Sequence, residues 1–206
     1  RSSDLWRHLL SHPKIVVIGA GSYFFARPVV WNMATSPVLK HGTLAFVDTK
    51  PDVVETMIKL ARRAFEATDA PARVEGSTDR REVLAGADFV VLTFSDKNAI
   101  YRGVDCEVSA KYGVRMCSGD TIGPGGIFRA LREIPTALEI ARDVERLAPR
   151  AWIINLVNPT TVLGIALMRH SSASSFALCD GLHEPYNRLK FLKEVEILPP
   201  EATEVP

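Results

Sequence analysis

No part of this chain limits its fold more than residues 14–48. A short apolar run, Ile15-Val16-Val17-Ile18, leads directly into Gly19-Ala20-Gly21-Ser22-Tyr23-Phe24, and a second apolar run, Leu44-Ala45-Phe46-Val47, ends at Asp48. Strand, glycine turn, helix, strand, acid is the order of a βαβ unit that holds a dinucleotide. Gly19 permits the tight turn, and Gly21 lets backbone N–H groups approach a pyrophosphate at the positive end of the following helix. Asp48 at the end of the second strand suits the ribose diol of NAD, and its charge repels the 2′-phosphate of NADP. Ser22, Tyr23 and Phe24 complete the turn as further cofactor contacts. Phe24 stands where a third glycine normally allows close helix–strand packing, which implies a wider or shifted helix. The plainer reading of the same residues is a strand-to-helix turn in an α/β core.

The rest of the chain repeats the alternation. Apolar strands are expected at 15–18, 44–47 and 89–94, with a shorter one at 73–77, and further strands at Trp152–Val157 and Ser175–Leu178. Helices are expected from near Phe25, from Pro51, from Asp79 to Gly86, from Ala99 to Tyr112, through Leu147, from Thr160 to Arg169 and from Glu184 to Glu196. Pro28 is tolerated only near a first turn, which sets the start near Phe25. The helix opened by Pro51 has Val54, Met57, Ile58, Leu60 and Ala61 as an approximate apolar face. Residues 1–13 contain a short amphipathic piece, with Leu5, Trp6, Leu9 and Leu10, that packs on the flank. The tail from Pro199 is expected to be irregular. The fold class is therefore α/β: a Rossmann-type, doubly wound, mostly parallel sheet in the order 3-2-1-4-5-6 over residues 1–180. Residues 181–206 are expected to begin a second α+β domain concerned with substrate or dimerisation.

Composition excludes several functions. With 206 residues and 47% hydrophobic content the chain can bury a full core, and a net charge of +1 gives no reason to expect nucleic acid or an acidic membrane as partner. No apolar run approaches membrane-spanning length, and no signal peptide is visible. Cys106, Cys117 and Cys179 are an odd number without framework spacing, which indicates reduced thiols in a cytoplasmic setting. The chain begins at Arg1 rather than Met, so the natural amino terminus is expected to lie upstream.

Candidate site residues fall at the carboxyl ends of strands, where open α/β sheets bind ligands. Thr93 ends one strand and faces the cofactor crevice. Asn158-Pro159 follows another: its amide suits a substrate hydroxyl or the nicotinamide, or the pair is simply a turn. Cys179-Asp180 follows the last, with a soft metal ligand beside a proton donor and His183 four residues beyond Cys179; a buried structural thiol is the alternative. His8, His12, His41 and His170 have no assigned role. The three glycines around a proline in Gly123-Pro124-Gly125-Gly126 hold the backbone close to a ligand or to another chain segment.

Taken in order, Gly19-Ala20-Gly21-Ser22, Asp48, Arg102-Gly103-Val104-Asp105, Asp120-Thr121-Ile122-Gly123-Pro124-Gly125-Gly126-Ile127-Phe128-Arg129, Asn158-Pro159 and Cys179-Asp180 resemble the NAD- and manganese-dependent glycoside hydrolases of family four, relatives of lactate and malate dehydrogenases. The resemblance spans about residues 14 to 183 and implies a function. NAD oxidises the sugar's 3-hydroxyl, a base removes the acidified C2 proton, the glycosidic oxygen is eliminated, water adds and NADH restores the alcohol, while Mn2+ or another divalent metal polarises the C2–C3 oxygens. It implies Cys179 as metal ligand, Asp180 as the acid at the leaving oxygen, Arg102 and Asn158 as sugar contacts, and Gly126 in the same crevice. The Asp-Thr-Ile-Gly-Pro-Gly-Gly form resembles the branch acting on unphosphorylated α-glycosides or uronides, whereas Cys179-Asp180 resembles the phospho-α-glucosidase branch. A second metal ligand, a His, and a tyrosine base are expected in a downstream domain, with a glycoside as substrate and a homo-oligomeric full-length protein. A 2-hydroxy-acid dehydrogenase and a non-catalytic NAD-binding module are the competing readings. The first lacks a Gly-x-His-Gly-Asp-like histidine, having only Gly181-Leu182-His183-Glu184.

Overall fold

The computed structural model describes residues 12–95, 97–116, 122–179 and 185–203, with backbone alone at 185–188 and 191. β1 (Lys14–Ile18), β2 (Thr43–Val47), β3 (Arg73–Ser77), β4 (Phe89–Leu92), β5 (Trp152–Asn155) and β6 (Ser174–Ala177) form one sheet in the order β3-β2-β1-β4-β5-β6. Every pairing is parallel. The expected strand order is therefore observed, with the reversal of winding between β1 and β4.

Parallel strands buried on both faces need apolar residues at successive positions. Val16, Ile18, Val47, Val90, Leu92 and Ile153 face one side, and Ile15, Val17, Leu44, Phe46 and Val91 face the other. α1 (Ala26–Thr35) and α2 (Pro51–Ala67) cover the second face through Ala26, Val30, Met33, Ala61 and Phe65. α4 (Gly123–Leu147) and α5 (Thr160–His170) cover the first through Ala137, Ile140, Val144, Leu163 and Leu167. α3 (Asn98–Lys111) rests chiefly on α4, and α6 (Pro185–Glu194) follows the sheet.

Several local expectations are corrected. The segment from Asp79 to Gly86 is not a helix but a 3-10 turn, Arg80–Glu82. Asp79 does cap it, accepting the Arg81 N–H at 3.0 Å. Gly86 then enters a left-handed conformation at φ +74°, leaving too few residues for a second turn. Leu60 does not join the apolar face of α2 and is 42% exposed. It lies about 120° around the helix from Val54, whereas Ala61 and Phe65 fall within about 20° of it. β4 and β5 stop at Leu92 and Asn155, short of the expected Phe94 and Val157, for reasons that belong to the site below. The amphipathic piece at 1–11, the 117–121 part of the glycine-rich stretch, the segment 180–184 and the end of the tail at 204–206 lie outside the described residues.

The turn after β3 is tied to α4 by charge. Asp143 on α4 accepts from Arg80 Nε at 2.7 Å and from Arg146 Nη2 at 3.0 Å, with Arg81 Nε at 3.5 Å. Burial pushes the Asp143 carboxyl up, but the Arg80 hydrogen bond and charge, followed by Arg81 and Arg146, outweigh it and hold the group below its ordinary range. A carboxyl depressed in the folded state adds stability above its unfolded pKa and loses it as pH falls through the folded value. Asp143→Asn is accordingly expected to cost about 1–3 kcal/mol at pH 7. In thermal melts the gap to wild type should close as the pH falls below about 4; a gap independent of pH would show that the tie is not electrostatic.

Candidate functional site

The sheet register aligns the strand ends in one row. Ile18 pairs with Val47 and Leu92, Leu92 with Asn155, and Asn155 with Ala177. Residues just past this row, including Gly19, Asp48, Thr93, Asn158 and Cys179, therefore share the carboxyl edge of the sheet.

The glycine turn is built around two close approaches. Gly19 has φ +93°, and a Cβ there would collide with the backbone of Thr93 and Phe94. Its N–H and that of Ala20 donate to Val47 O at 2.9 and 3.0 Å. Thr93 locks the crossing: its N–H donates to Ile18 O at 2.8 Å and its hydroxyl to Gly19 O at 2.8 Å. This bend over the turn ends β4 at Leu92, and it gives the buried Thr93 side chain a partner within the protein. The Gly21 N–H then donates to Asp48 Oδ2 at 2.9 Å, and the Lys50 N–H to Asp48 Oδ1 at 3.2 Å. Each carboxylate oxygen keeps acceptor capacity for a hydroxyl.

α1 begins at Ala26, close to the expected start near Phe25, and the Ala26 N–H donates to Ser22 O at 2.9 Å. Ala20 and Ala26, both fully buried, supply the close helix–strand contact, so Phe24 is free to stand 76% exposed and Tyr23 67%. Arg27 Nη1 donates to the Tyr23 hydroxyl at 3.1 Å and its guanidinium lies 4.6 Å from the Tyr23 ring centroid. A cation and two aromatic rings thus flank the positive end of α1.

Two further residues, of which Asn155 was missed by sequence reasoning, shape the opposite half of the edge. Asn155 is fully buried; its amide donates to Val157 O at 3.1 Å and accepts the Val157 N–H at 3.2 Å. This local ring replaces the ladder, ends β5 and turns the chain toward Asn158-Pro159, a cis peptide. An asparagine inside an apolar run was the available signal. Asn158 Oδ1 accepts from the Thr160 hydroxyl at 2.8 Å, which orients the amide. Ser95, past β4, donates to Glu133 Oε1 at 3.0 Å and accepts from Arg129 Nη2 at 3.3 Å, pinning the loop to α4 through two buried charged residues.

At the glycine-rich start of α4, a Cβ on Gly125 would meet the end of the Met116 side chain and lie 3.7 Å from Asp105 Cβ. Gly126 is buried in the same turn, and Arg102 is half-buried on α3. Cys179 is exposed just past β6. Among the described residues no three His, Cys, Asp or Glu side chains group to hold a metal, and Asp180 and His183 lie outside them. A cavity of about 800 Å³ lies at the opposite, amino edge, lined by Arg62, Phe65 and Arg73 among others. Among the described residues no helix is long and apolar enough to cross a membrane.

Gly19→Ala is expected to lower the thermal midpoint, because the new methyl meets backbone and the φ is strained, at a cost of about 1–3 kcal/mol or more. Gly103→Ala, in mid-helix with nothing within 4 Å of the added carbon, should instead raise stability by about 0.5–1 kcal/mol. Equal effects of the two substitutions in denaturant unfolding would refute the close approach.

Comparison with known proteins places this geometry. The chain is 32% identical over 173 residues to the alpha-galactosidase of Bacillus subtilis, covering 81% of this chain and 39% of that protein. The crystal structure of lplD from Bacillus subtilis superimposes with a TM-score of 0.79 at 28% identity, covering 94% of this chain and 44% of that one. A 6-phospho-beta glucosidase from Thermotoga maritima, solved with manganese, NAD+ and glucose-6-phosphate, shares the fold with a TM-score of 0.73 at 22% identity, covering 90% of this chain and 43% of that one. The chain thus spans less than half the length of the proteins it matches. The model of the family 4 glycosyl hydrolases matches residues 14–195, and the chain belongs to that family.

Proposed function

We propose that this chain is the cofactor-binding part of a glycosidase that cleaves an α-linked hexoside by NAD-dependent oxidation, elimination, addition and reduction. The observation that carries the reading is the glycine turn closed on Asp48, on the same sheet edge as Asn158 and Cys179. Kinship supports it: the related Thermotoga structure holds manganese and NAD+.

The residues fit a dinucleotide. A side chain at Gly19 would meet backbone and one at Gly21 would press on Val53 and Asp48, the N-terminus of α1 faces the turn, and the Asp48 carboxylate is already oriented by two N–H groups. NAD, when bound, supplies hydride chemistry at the sugar's C3, and a divalent metal supplies Lewis acidity at the C2–C3 oxygens. Asp48 would accept from the ribose hydroxyls, with Ser22, Tyr23 and Phe24 against the pyrophosphate half and Thr93 holding the turn in shape. The Asn158 amide would donate to the sugar or nicotinamide, Arg102 would bind sugar hydroxyls, and Gly126 would lie in the wall of the crevice. Cys179 fits a soft metal donor, though one thiolate leaves a divalent ion's coordination incomplete, and Asp180 would protonate the leaving oxygen. We place the cofactor domain at residues 1–180 and the start of a substrate or dimerisation domain at 181–206, in a cytoplasmic, homo-oligomeric enzyme.

Calorimetry should give tighter binding of NAD than NADP, a preference that Asp48→Ala removes; equal affinities in wild type would refute the role of Asp48. The full-length protein should hydrolyse a nitrophenyl α-hexoside only with NAD, manganese and reductant. Product formed in D2O should carry deuterium at C2, whereas a two-carboxylate glycosidase leaves that carbon unlabelled. Cys179→Ser should abolish the manganese-dependent rate and His183→Asn should leave most of it. Equal damage from both changes would make the metal site a local Cys–His pair.

A further inference from the structure

α3 is held to the protein in an unusual way. Its buried residues are Asp105 and Ser109, both polar, while Ile100 and Val104 stand 65% and 49% exposed. Its packing runs chiefly to α4. A helix without buried apolar side chains gains little from the hydrophobic effect and depends on specific polar contacts.

Those contacts converge on one guanidinium. Arg132 of α4 donates to Asp105 through both nitrogens, Nη1 to Oδ1 at 3.0 Å and Nη2 to Oδ2 at 2.6 Å. The same guanidinium lies 5.1 Å from the centroid of the Tyr101 ring, one turn earlier on α3. A bidentate fork fixes orientation as well as distance, and the ring limits sliding along the helix. Gly125 lies beside this contact: a Cβ there would stand 3.7 Å from Asp105 Cβ and meet the end of the Met116 side chain. The Ser109 hydroxyl, 2.7 Å from Asp105 O and 3.1 Å from Met116 Sδ, closes the other end. The bonded Asp105 carboxylate raises the Arg132 pKa against the opposing effect of burial.

We infer that the Asp105–Arg132 clasp is a positioning device that sets Arg102, the sugar-binding candidate beside Tyr101 on α3, at the carboxyl edge. This rests on the glycosidase reading for the role of Arg102, but the clasp itself does not. The clasp holds α3 on α4, and the loss of either bond of the fork lets α3 pivot about its junction with the β4 loop. Small displacements of a substrate-binding group are costly because the reacting geometry is narrow.

The test is a double-mutant cycle in the full-length protein. Asp105→Asn is expected to raise the glycoside KM about tenfold, and Arg102→Ala to raise it at least as much; in the Arg102→Ala background Asp105→Asn should add nothing. NAD affinity should stay within about twofold, since the glycine turn is untouched. Hydrogen exchange of α3 amides should quicken about tenfold in Asp105→Asn while β1 and β4 amides are unchanged. Should Asp105→Asn fold poorly, Arg132→Lys, which keeps the charge but loses the fork, should shift KM and exchange in the same direction. An equal KM penalty with and without Arg102, or unchanged α3 exchange, overturns the inference. A wild type that turns over no glycoside sinks the functional reading and the role of Arg102 with it, and exchange still decides whether the clasp holds α3.

Discussion

The structure depends on one close approach, that of Gly19 to the backbone of Thr93 and Phe94. Where β1 passes β4 the winding reverses, the point at which open α/β sheets bind their ligands. Only a residue without a side chain, at a positive φ, can carry the chain across that point. The rest follows from it. The turn presents Gly21 to Asp48, Asp48 fixes the loop after β2, and Thr93 ties the start of the β4 loop to the same carbonyls. A dinucleotide would then meet a cradle whose polar groups are already oriented, so little ordering remains to oppose binding.

The polar half of the site is organised by side chains that complete their own backbone's hydrogen bonds. Asn155 captures both polar groups of Val157, and Thr160 engages Asn158. Ser95 sits between Arg129 and Glu133, which keeps two buried charges hydrogen-bonded at the base of a loop. Such networks stabilise little in net terms but specify one arrangement, because any alternative leaves buried groups unsatisfied.

The sheet was legible in the sequence because buried parallel strands have a strong signature, as in the apolar runs Ile15-Val16-Val17-Ile18 and Phe89-Val90-Val91-Leu92. The glycine turn and Asp48 were legible because each directly follows a recognisable apolar run, although they lie 27 residues apart. What was not legible lay in contacts whose members stand in no such pattern. Asp105 and Arg132 are separated by 27 residues and Arg80 and Asp143 by 63, and nothing local to either member announces its partner. The Asp79–Gly86 segment failed differently. Its cap was read correctly, but a cap says where a helix can start and not whether enough residues follow to propagate it.

The strand order has a consequence for how this chain is made. Residues up to 77 contain β1, β2 and β3, which pair side by side, whereas the other edge of β1 waits for Phe89–Leu92. During synthesis the emerging half-sheet presents Ile15, Val16, Val17 and Ile18 along an unpaired strand edge, with the face of Val16 and Ile18 bare until α4 follows. The central strand of the finished protein is thus the sticky edge of its nascent form. The stretch between Ser77 and Phe89 sets how long that edge stays open, and a connection there of one short 3-10 turn closes it sooner than a full crossover helix would.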